Sequence, residues 1–196
     1  MPQQNKSPLF DRIHIAPSVP TPPGRLRDAV LRHLSRLPCA LCTLWAQHPR
    51  GLMAVDASAA SAYLAEPTYW RHLHTAGLLL WHVDDVMQRR EAFWEVVGAW
   101  LDHWLGSDAT GAFFSEGARA PFVPEDAARR WQDVLALGYA EDLLGTQEPA
   151  ALFRRGFARL MVSPRELDIA DPQMARWFRT VALNEAFWRA VQDAGK

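Results

Sequence analysis

The chain has 196 residues, of which 49% are hydrophobic and 22% charged, a composition typical of one globular domain. The formal net charge of −1 argues against a polybasic protein, and two cysteines exclude a disulfide scaffold. No apolar run approaches the ~20 residues that span a bilayer, and the first 23 residues lack the apolar segment of a signal peptide. We therefore expect a cytoplasmic protein with no membrane partner.

The N-terminal residues are predicted to form a proline-rich arm over residues 1–24, followed by one helical domain over residues 25–196. The prolines from Pro17 to Pro23 argue against a helix or a central strand, because proline lacks the backbone N–H that both structures use. Just before them, the alternation over Ile13–Ile15 predicts a short strand, which could pair with Leu52–Val55 in a small two-stranded element.

Helical periodicity dominates the remaining chain, and we expect a mainly α fold of six or seven helices. The apolar face of the first helix is formed by Leu26, Val30, Leu34 and Leu37. The strongest helical pattern covers Thr68–Leu105. The other expected helices cover residues 39–48, 56–65, 125–144, 148–161 and 171–192, and a loop over residues 106–124 carries Phe113 and Phe114 at the surface.

The composition leaves two interpretations open for binding. Nine tryptophans are typical of a tryptophan-built core, and alternatively some of them could stack on bases or on a ligand. Every lysine or arginine of the chain except Lys6 and Lys196 is an arginine, and arginine binds phosphate in a more specific geometry than lysine does. A chain rich in arginine and alanine is also typical of a GC-rich genome, so the composition has a second explanation. The candidate nucleic-acid-binding residues are three pairs on separate helices: Arg89 and Arg90, Arg129 and Arg130, and Arg154 and Arg155.

The two cysteines are spaced as a Cys-x-x-Cys pair, Cys39 and Cys42. Neighbouring thiols at this spacing could be core cysteines, a redox pair or half of a zinc site. A structural zinc ion takes four ligands, usually from two such pairs, and the chain has no second pair. The sequence alone does not decide among a core, a redox and a metal-binding role for the two cysteines.

The densest polar cluster contains His72, His74, His82 and Asp85. His82 and Asp85 are three residues apart and could touch on one helix face, as an acid–base pair or as an ordinary surface pair. A metal ion would take His74, His82 and Asp85 as ligands. Asp102 and His103 are expected on a solvated helix face. No serine-hydrolase, dinucleotide-binding, P-loop or HExxH motif is present.

The features from Leu34 onward follow a recognisable order: a helix, a Leu-Pro pair, a second helix, a short strand, the segment Leu78–Asp85, a long loop, and a helix that begins at Glu148. This order resembles small bacterial zinc-peptidase-like domains, the group related to the anthrax lethal factor catalytic domain. The resemblance implies a helix with the motif HExxHxxD at Leu78–Asp85. In that family, the two histidines and a glutamate from the later helix hold zinc, and the motif glutamate activates water.

The departures from the family pattern imply a scaffold that has lost its chemistry. Only His82 and Asp85 match the motif, whereas Leu78 replaces the first zinc ligand and Leu79 replaces the base. Ala151 stands where the glutamate ligand would be. A four-coordinate zinc site cannot be built from one histidine, so the resemblance implies recognition without hydrolysis.

Three functional hypotheses follow. The first is a non-catalytic binding or regulatory protein on a degenerate metallopeptidase-like scaffold, with no cofactor, whose partner is a protein or a second copy of the chain. The second is a DNA-binding protein, single-stranded or end-binding, of a bacterial stress or DNA-damage response, using the six arginines named above. The third is an enzyme that uses His82 and Asp85, with or without zinc.

Overall fold

The computed structural model describes residues 7–88, 90–106 and 112–194. It confirms that the fold is mainly helical, since helices make up 58% of it. The described ranges contain ten α-helices rather than six or seven, and six strands rather than two. A four-stranded sheet and a separate two-stranded hairpin account for the additional strands.

The helices are α1 (Pro23–Leu34), α2 (Cys39–Gln47), α3 (Val83–Met87), α4 (Arg90–Gly106), α5 (Glu125–Leu137), α6 (Glu141–Leu144), α7 (Pro149–Val162), α8 (Pro164–Ala170), α9 (Pro172–Thr180) and α10 (Glu185–Ala194). The strands are β1 (Ile13–Ile15), β2 (Leu52–Asp56), β3 (Ala62–Leu64), β4 (Thr68–Trp70), β5 (Leu73–Thr75) and β6 (Leu78–His82). Short 3₁₀ turns cover Phe10–Arg12 and Phe114–Glu116.

The four-stranded sheet has the order β1-β2-β6-β3, with β3 as the antiparallel edge strand. The predicted pairing of the first two strands is present and is parallel, with Ile13 opposite Met53 and Ile15 opposite Val55. β6 continues the sheet in parallel on the other side of β2. Both central strands consist largely of buried apolar residues, as strands covered on both faces require.

The predicted helix over Thr68–Leu105 is wrong in its first half. The structure has a β-hairpin, then strand β6, and only afterwards the helices α3 and α4. An apolar run as short as Leu78–Trp81 fits a buried strand and a buried helix equally well by periodicity. The predicted helix over residues 56–65 is also wrong, because β3 occupies Ala62–Leu64 and pairs with β6.

Two predicted helices are divided in the structure. The helix expected over residues 125–144 forms α5 and α6, because Gly138 ends α5 in the left-handed conformation with a φ of 62°. The helix expected over residues 171–192 is divided into α9 and α10, and α8 precedes it. Leu9, Ile13, Ala16 and Val19, which the sequence assigned to the N-terminal arm, are buried in the same hydrophobic core as the apolar face of α1.

The core is built on the packing of α4 against α7 and is filled with aromatic side chains. Every tryptophan except Trp70 is at most 8% exposed, so the interpretation of the tryptophans as core residues is confirmed for all the others. Gly98 permits the close approach of the two helices, because a Cβ atom there would lie 3.1 Å from both the Cα and the carbonyl oxygen of Arg154. This packing places one face of α4 beside α7.

Candidate functional site

A cavity of about 440 Å³ lies between α4, the start of α7, strand β3 and the 3₁₀ turn Phe114–Glu116. We call it the acidic cleft. Among the described residues, its lining includes four carboxylic acids and one arginine, Arg154. The four are Glu95, Asp102, Glu116 and Glu148.

α4 places three cleft residues on one face. Glu95, Ala99 and Asp102 follow one another at spacings of four and three residues, which bring side chains to the same side of an α-helix. The approach allowed by Gly98 sets this face beside α7, from which Ala150 and Arg154 complete the wall. The shape of the cleft therefore follows from the packing of α4 on α7.

Asp102 is the most deeply buried acid of the cleft, with 1% of its surface exposed. Its carboxylate accepts a 2.8 Å hydrogen bond from the backbone N–H of Ser115 and a 2.6 Å hydrogen bond from the Ser115 hydroxyl. Burial raises the pKa of Asp102 to about 7, against the opposite effect of the two hydrogen bonds. Asp102 thus ties the 3₁₀ turn to α4 and carries only part of a negative charge near neutral pH.

Glu95 is half-buried in the wall of the cleft. Burial raises its pKa, and the positive charges of Arg155 and Arg154 oppose that change. The Arg155 guanidinium also donates a 2.8 Å hydrogen bond to the carbonyl of Leu144, which leaves its positive charge in place. The four carboxylic acids of the cleft therefore outnumber the two arginines, Arg154 and Arg155, whose charges act on Glu95.

Two aromatic side chains, Tyr63 and Phe113, also line the cleft. The Tyr63 hydroxyl and Nδ1 of His103 are joined by a 2.6 Å hydrogen bond, and the Phe113 ring lies 5.3 Å from the His103 ring. His103 is 2% exposed and Asp102 1%, so the prediction of a solvated face for these two residues is wrong. Phe114, expected at the surface, is also buried, because its ring stacks on Trp177 at 5.3 Å.

The structure gives His82 and Asp85 local structural roles. His82 ends β6 and caps α3, where its Nδ1 accepts a 3.2 Å hydrogen bond from the N–H of Asp84. Asp85 lies inside α3 and accepts a 2.6 Å hydrogen bond from the Ser61 hydroxyl. The same Ser61 oxygen accepts the N–H of His82 at 2.8 Å, so Ser61 connects the two residues. They do not share a helix face as predicted, because His82 belongs to a strand.

The other predicted metal ligand, His74, is on β5, where its ring lies 4.8 Å from that of Tyr69. In the part of the chain that the structure describes, no group of three His, Cys, Asp or Glu side chains is arranged to hold a metal ion.

The cysteines are both free thiols, Cys39 exposed and Cys42 half-buried. Burial raises the pKa of Cys42 to about 12, with smaller contributions from Cys39 and Glu185. Because the thiolate is the reactive form, this environment disfavours metal binding and redox chemistry at Cys42.

The predicted arginine pairs lie on three helices. Arg90 starts α4, and Arg89 falls outside the described residues. On α5, Arg130 is bound to Asp126 at 3.1 Å beside an exposed Arg129. The third pair, Arg154 and Arg155, is on α7, where Arg154 faces the acidic cleft and Arg155 binds Leu144.

Sequence reasoning missed the acidic cleft. Its one local signal is the spacing of Glu95, Ala99 and Asp102 along a helix. This signal is weak in the sequence, because apolar residues such as Val96 and Trp100 stand beside these positions and the helix has no clearly polar face. Glu116 and Glu148 approach from other parts of the chain, which only the packing of the elements brings together.

Comparison of this chain with protein-family models, with curated proteins and with solved structures gives no match. Among the described helices, none combines the length and the apolar character needed to cross a membrane. The interpretation of the site therefore depends on its geometry.

Proposed function

We propose that this chain is a non-catalytic binding protein that holds a basic segment of a partner polypeptide in the acidic cleft. The observation that carries the proposal is the excess of carboxylates over guanidinium groups in a cavity of about 440 Å³. A lysine or arginine side chain supplies the opposite charge, and such complementarity directs both specificity and association.

The position of β3 supports a polypeptide as the occupant. β3 is the edge of the sheet, hydrogen-bonded to β6 on one side, and Ala62 and Tyr63 line the acidic cleft. An edge strand offers backbone N–H and C=O groups to an extended chain, while neighbouring pockets take alternate side chains. A peptide added to β3 would place alternate side chains toward the carboxylates.

We retain the resemblance to zinc peptidases in this proposal, but we align the HExxHxxD motif with a different segment of the chain. Residues 78–82 form a strand, so they cannot carry a helical motif, whereas α4 packs against the helix that contains Ala151. On α4, Glu95 and Ala99 have the spacing of the two motif histidines, and Asp102 that of the motif aspartate. We propose that α4 and α7 are the counterparts of the two ligand-bearing helices.

With this placement the chain's own residues support binding rather than hydrolysis. Val96, which is 4% exposed, stands where the motif glutamate would activate water, and it has no titratable group. Neither Glu95 nor Ala99 is a histidine, and Ala151 replaces the third ligand. The alternative of an enzyme that uses His82 and Asp85 has less support, because those side chains cap α3 and bind Ser61.

The proposal is tested with two labelled decapeptides, one of alternating lysine and valine and one of alternating glutamate and valine, by fluorescence anisotropy. We expect the lysine peptide to bind and the glutamate peptide not to bind. The double variant Glu95→Gln/Glu148→Gln should weaken binding by about twofold to thirtyfold, since each of the two partly exposed charge pairs contributes ~0.2–1 kcal/mol.

The matched control is Glu125→Gln, which removes an exposed carboxylate from the first turn of α5, outside the cleft lining. Equal binding of both peptides, or equal loss in the control, would contradict a cleft that selects basic segments. Cleavage of the lysine peptide by the purified protein would contradict the non-catalytic part of the proposal.

A further inference from the structure

Arg154 is the arginine that α7 contributes to the lining of the acidic cleft. Its backbone packs closely on α4, since a Cβ atom at Gly98 would lie 3.1 Å from the Arg154 Cα. Its side chain is half-buried. Burial raises the pKa of Glu95 and of Asp102, and the positive charge of Arg154 opposes this rise at both acids. Arg154 therefore lies within electrostatic reach of the acids on α4.

The Arg154 guanidinium has no partner among the described residues. It makes no hydrogen bond and no ion pair there, whereas Arg159 of the same helix binds Glu91 at 3.0 Å and Glu166 at 3.0 Å. A guanidinium stays charged at any pH that a protein tolerates, and its N–H groups form a planar fork that matches a carboxylate. The Arg154 side chain is therefore available to a ligand that brings a carboxylate into the cleft.

The acidic cleft also contains carboxylates that have no partner in the described part of the chain. Glu116 and Glu148 are exposed, and neither side chain makes a hydrogen bond or an ion pair there. Glu148 precedes Arg154 by six residues, which corresponds to about 9 Å along a helix axis at a rise of 1.5 Å per residue. One cavity thus offers unpaired groups of both signs at separate places.

Small side chains leave space in the cleft near these charges. Ala62, Ala99 and Ala150 line it from β3, α4 and α7. Ala150 lies four residues before Arg154, on the same side of α7. Ala62 belongs to the edge strand to which the proposed partner segment is added. An extended chain on β3 therefore has room to end inside the cavity of about 440 Å³.

We infer that the acidic cleft binds the carboxy-terminal residue of a basic segment, with the terminal carboxylate on Arg154 and a lysine or arginine side chain beside Glu116 and Glu148. The inference rests on the proposed function and specifies which part of the partner enters the cleft. Because both charges belong to one residue, a single chain end satisfies the unpaired groups of both signs. Strand addition to a sheet edge and capture of a terminal carboxylate are both established modes of peptide recognition.

The experiment measures, by fluorescence anisotropy, the binding of three decapeptides of alternating valine and lysine that end in lysine and carry the label at the amino terminus. The first has a free terminal carboxylate and the second a terminal carboxamide. The third has a terminal carboxamide and an aspartate in place of its last valine. We expect the first peptide to bind about fivefold more tightly than the second, or better, since fivefold is the upper end of the effect of one partly exposed charge pair. The third peptide separates a chain end from an acidic side chain as the source of the carboxylate, and it should bind less tightly than the first.

Substitutions at Arg154 assign the carboxylate to this residue. Arg154→Gln removes the charge and should abolish the preference for the free carboxylate. The same variant should bind the amidated peptide at least as tightly as the parent chain does, because a cation that repels lysine is gone, and this result shows that the cleft is intact. Arg154→Lys keeps the charge without the planar fork and should retain part of the preference. The matched control is Arg165→Gln, which removes an exposed arginine of α8 outside the cleft lining and should keep the whole preference.

The outcomes distinguish this inference from the proposed function. Equal binding of the free-acid and amidated peptides, both tighter than binding of the glutamate peptide, would overturn the inference and leave the proposed function in place. A preference that survives in Arg154→Gln would also overturn it, because the carboxylate would then bind elsewhere. Binding of the aspartate peptide as tight as that of the free-acid peptide would assign Arg154 to an acidic side chain instead of a chain end. No binding of any lysine peptide would contradict both proposals.

Discussion

Asp102→Asn is the substitution for which the structure makes the sharpest prediction. The folded state raises the pKa of Asp102 from 3.8 to about 7 through burial, so the folded protein holds a proton that the unfolded chain releases. The stability contributed by this group is complete below the unfolded pKa and is lost as the pH rises toward the folded pKa. Ionisation of Asp102 therefore makes the protein less stable at pH 8 than at pH 4, if other groups are equal.

The size of the effect follows from the shift. A pKa change of about 3 units, at 1.36 kcal/mol for each unit, corresponds to a loss of about 4 kcal/mol in the free energy of unfolding between pH ~4 and pH ~8. Asparagine has the shape of the protonated acid. Its oxygen can accept the Ser115 N–H, and its amide can donate to the Ser115 hydroxyl oxygen. Asp102→Asn should therefore remove this pH dependence and keep the 3₁₀ turn in place.

The assay is urea unfolding of the parent chain and the variant at about pH 5, 6, 7 and 8, followed by tryptophan fluorescence. We expect the smallest difference at pH 5, an advantage of the variant that grows by up to about 1.4 kcal/mol per pH unit as far as pH 7, and little further change at pH 8. Comparing the two chains at each pH cancels the titration of groups that both retain, such as Glu95 and Asp171. Parallel curves across this range would refute the assignment of a raised pKa to Asp102.

Three further predictions concern stability and reactivity. Gly98→Val should lower the free energy of unfolding by about 1–3 kcal/mol, because its side chain would press on the Arg154 backbone, and an unchanged urea midpoint would contradict the close helix approach. Asp171→Ala should cost about 1 kcal/mol in thermal unfolding, since the carboxylate caps α9 by accepting the N–H groups of Gln173 and Met174. Asp171→Asn, which keeps an acceptor, should retain most of that stability. When the folded protein is treated with maleimide at pH 7.5, mass spectrometry should find the label on the exposed Cys39 and not on Cys42, whose pKa is raised to about 12 by burial. Rapid labelling of both cysteines would show that Cys42 is more accessible than its burial implies.

Several elements could be predicted because their information is local. The apolar face of Leu26, Val30 and Leu34 identifies α1 within one segment, and Gly145 marks the end of the helix predicted to begin at Glu125. The alternation at Ile13–Ile15 identified β1, and the expected partner strand is the observed one. In each case the residues that reveal the element are also the residues that form it.

The tertiary structure decided the remainder. Leu78–Trp81 is equally apolar as a strand or as a helix, and it becomes β6 because β2 and β3 offer hydrogen-bonding partners on both sides. Asp102 is a charged residue of the kind that usually occupies a solvent-exposed helix position. It is buried here because Ser115, thirteen residues later, supplies two hydrogen-bond donors to its carboxylate. The periodicity of a sequence shows which side of a helix or strand is apolar. The acidic cleft forms where side chains from distant segments meet. Its position therefore depends on how the helices and strands pack against one another, which the pattern of a single segment does not contain.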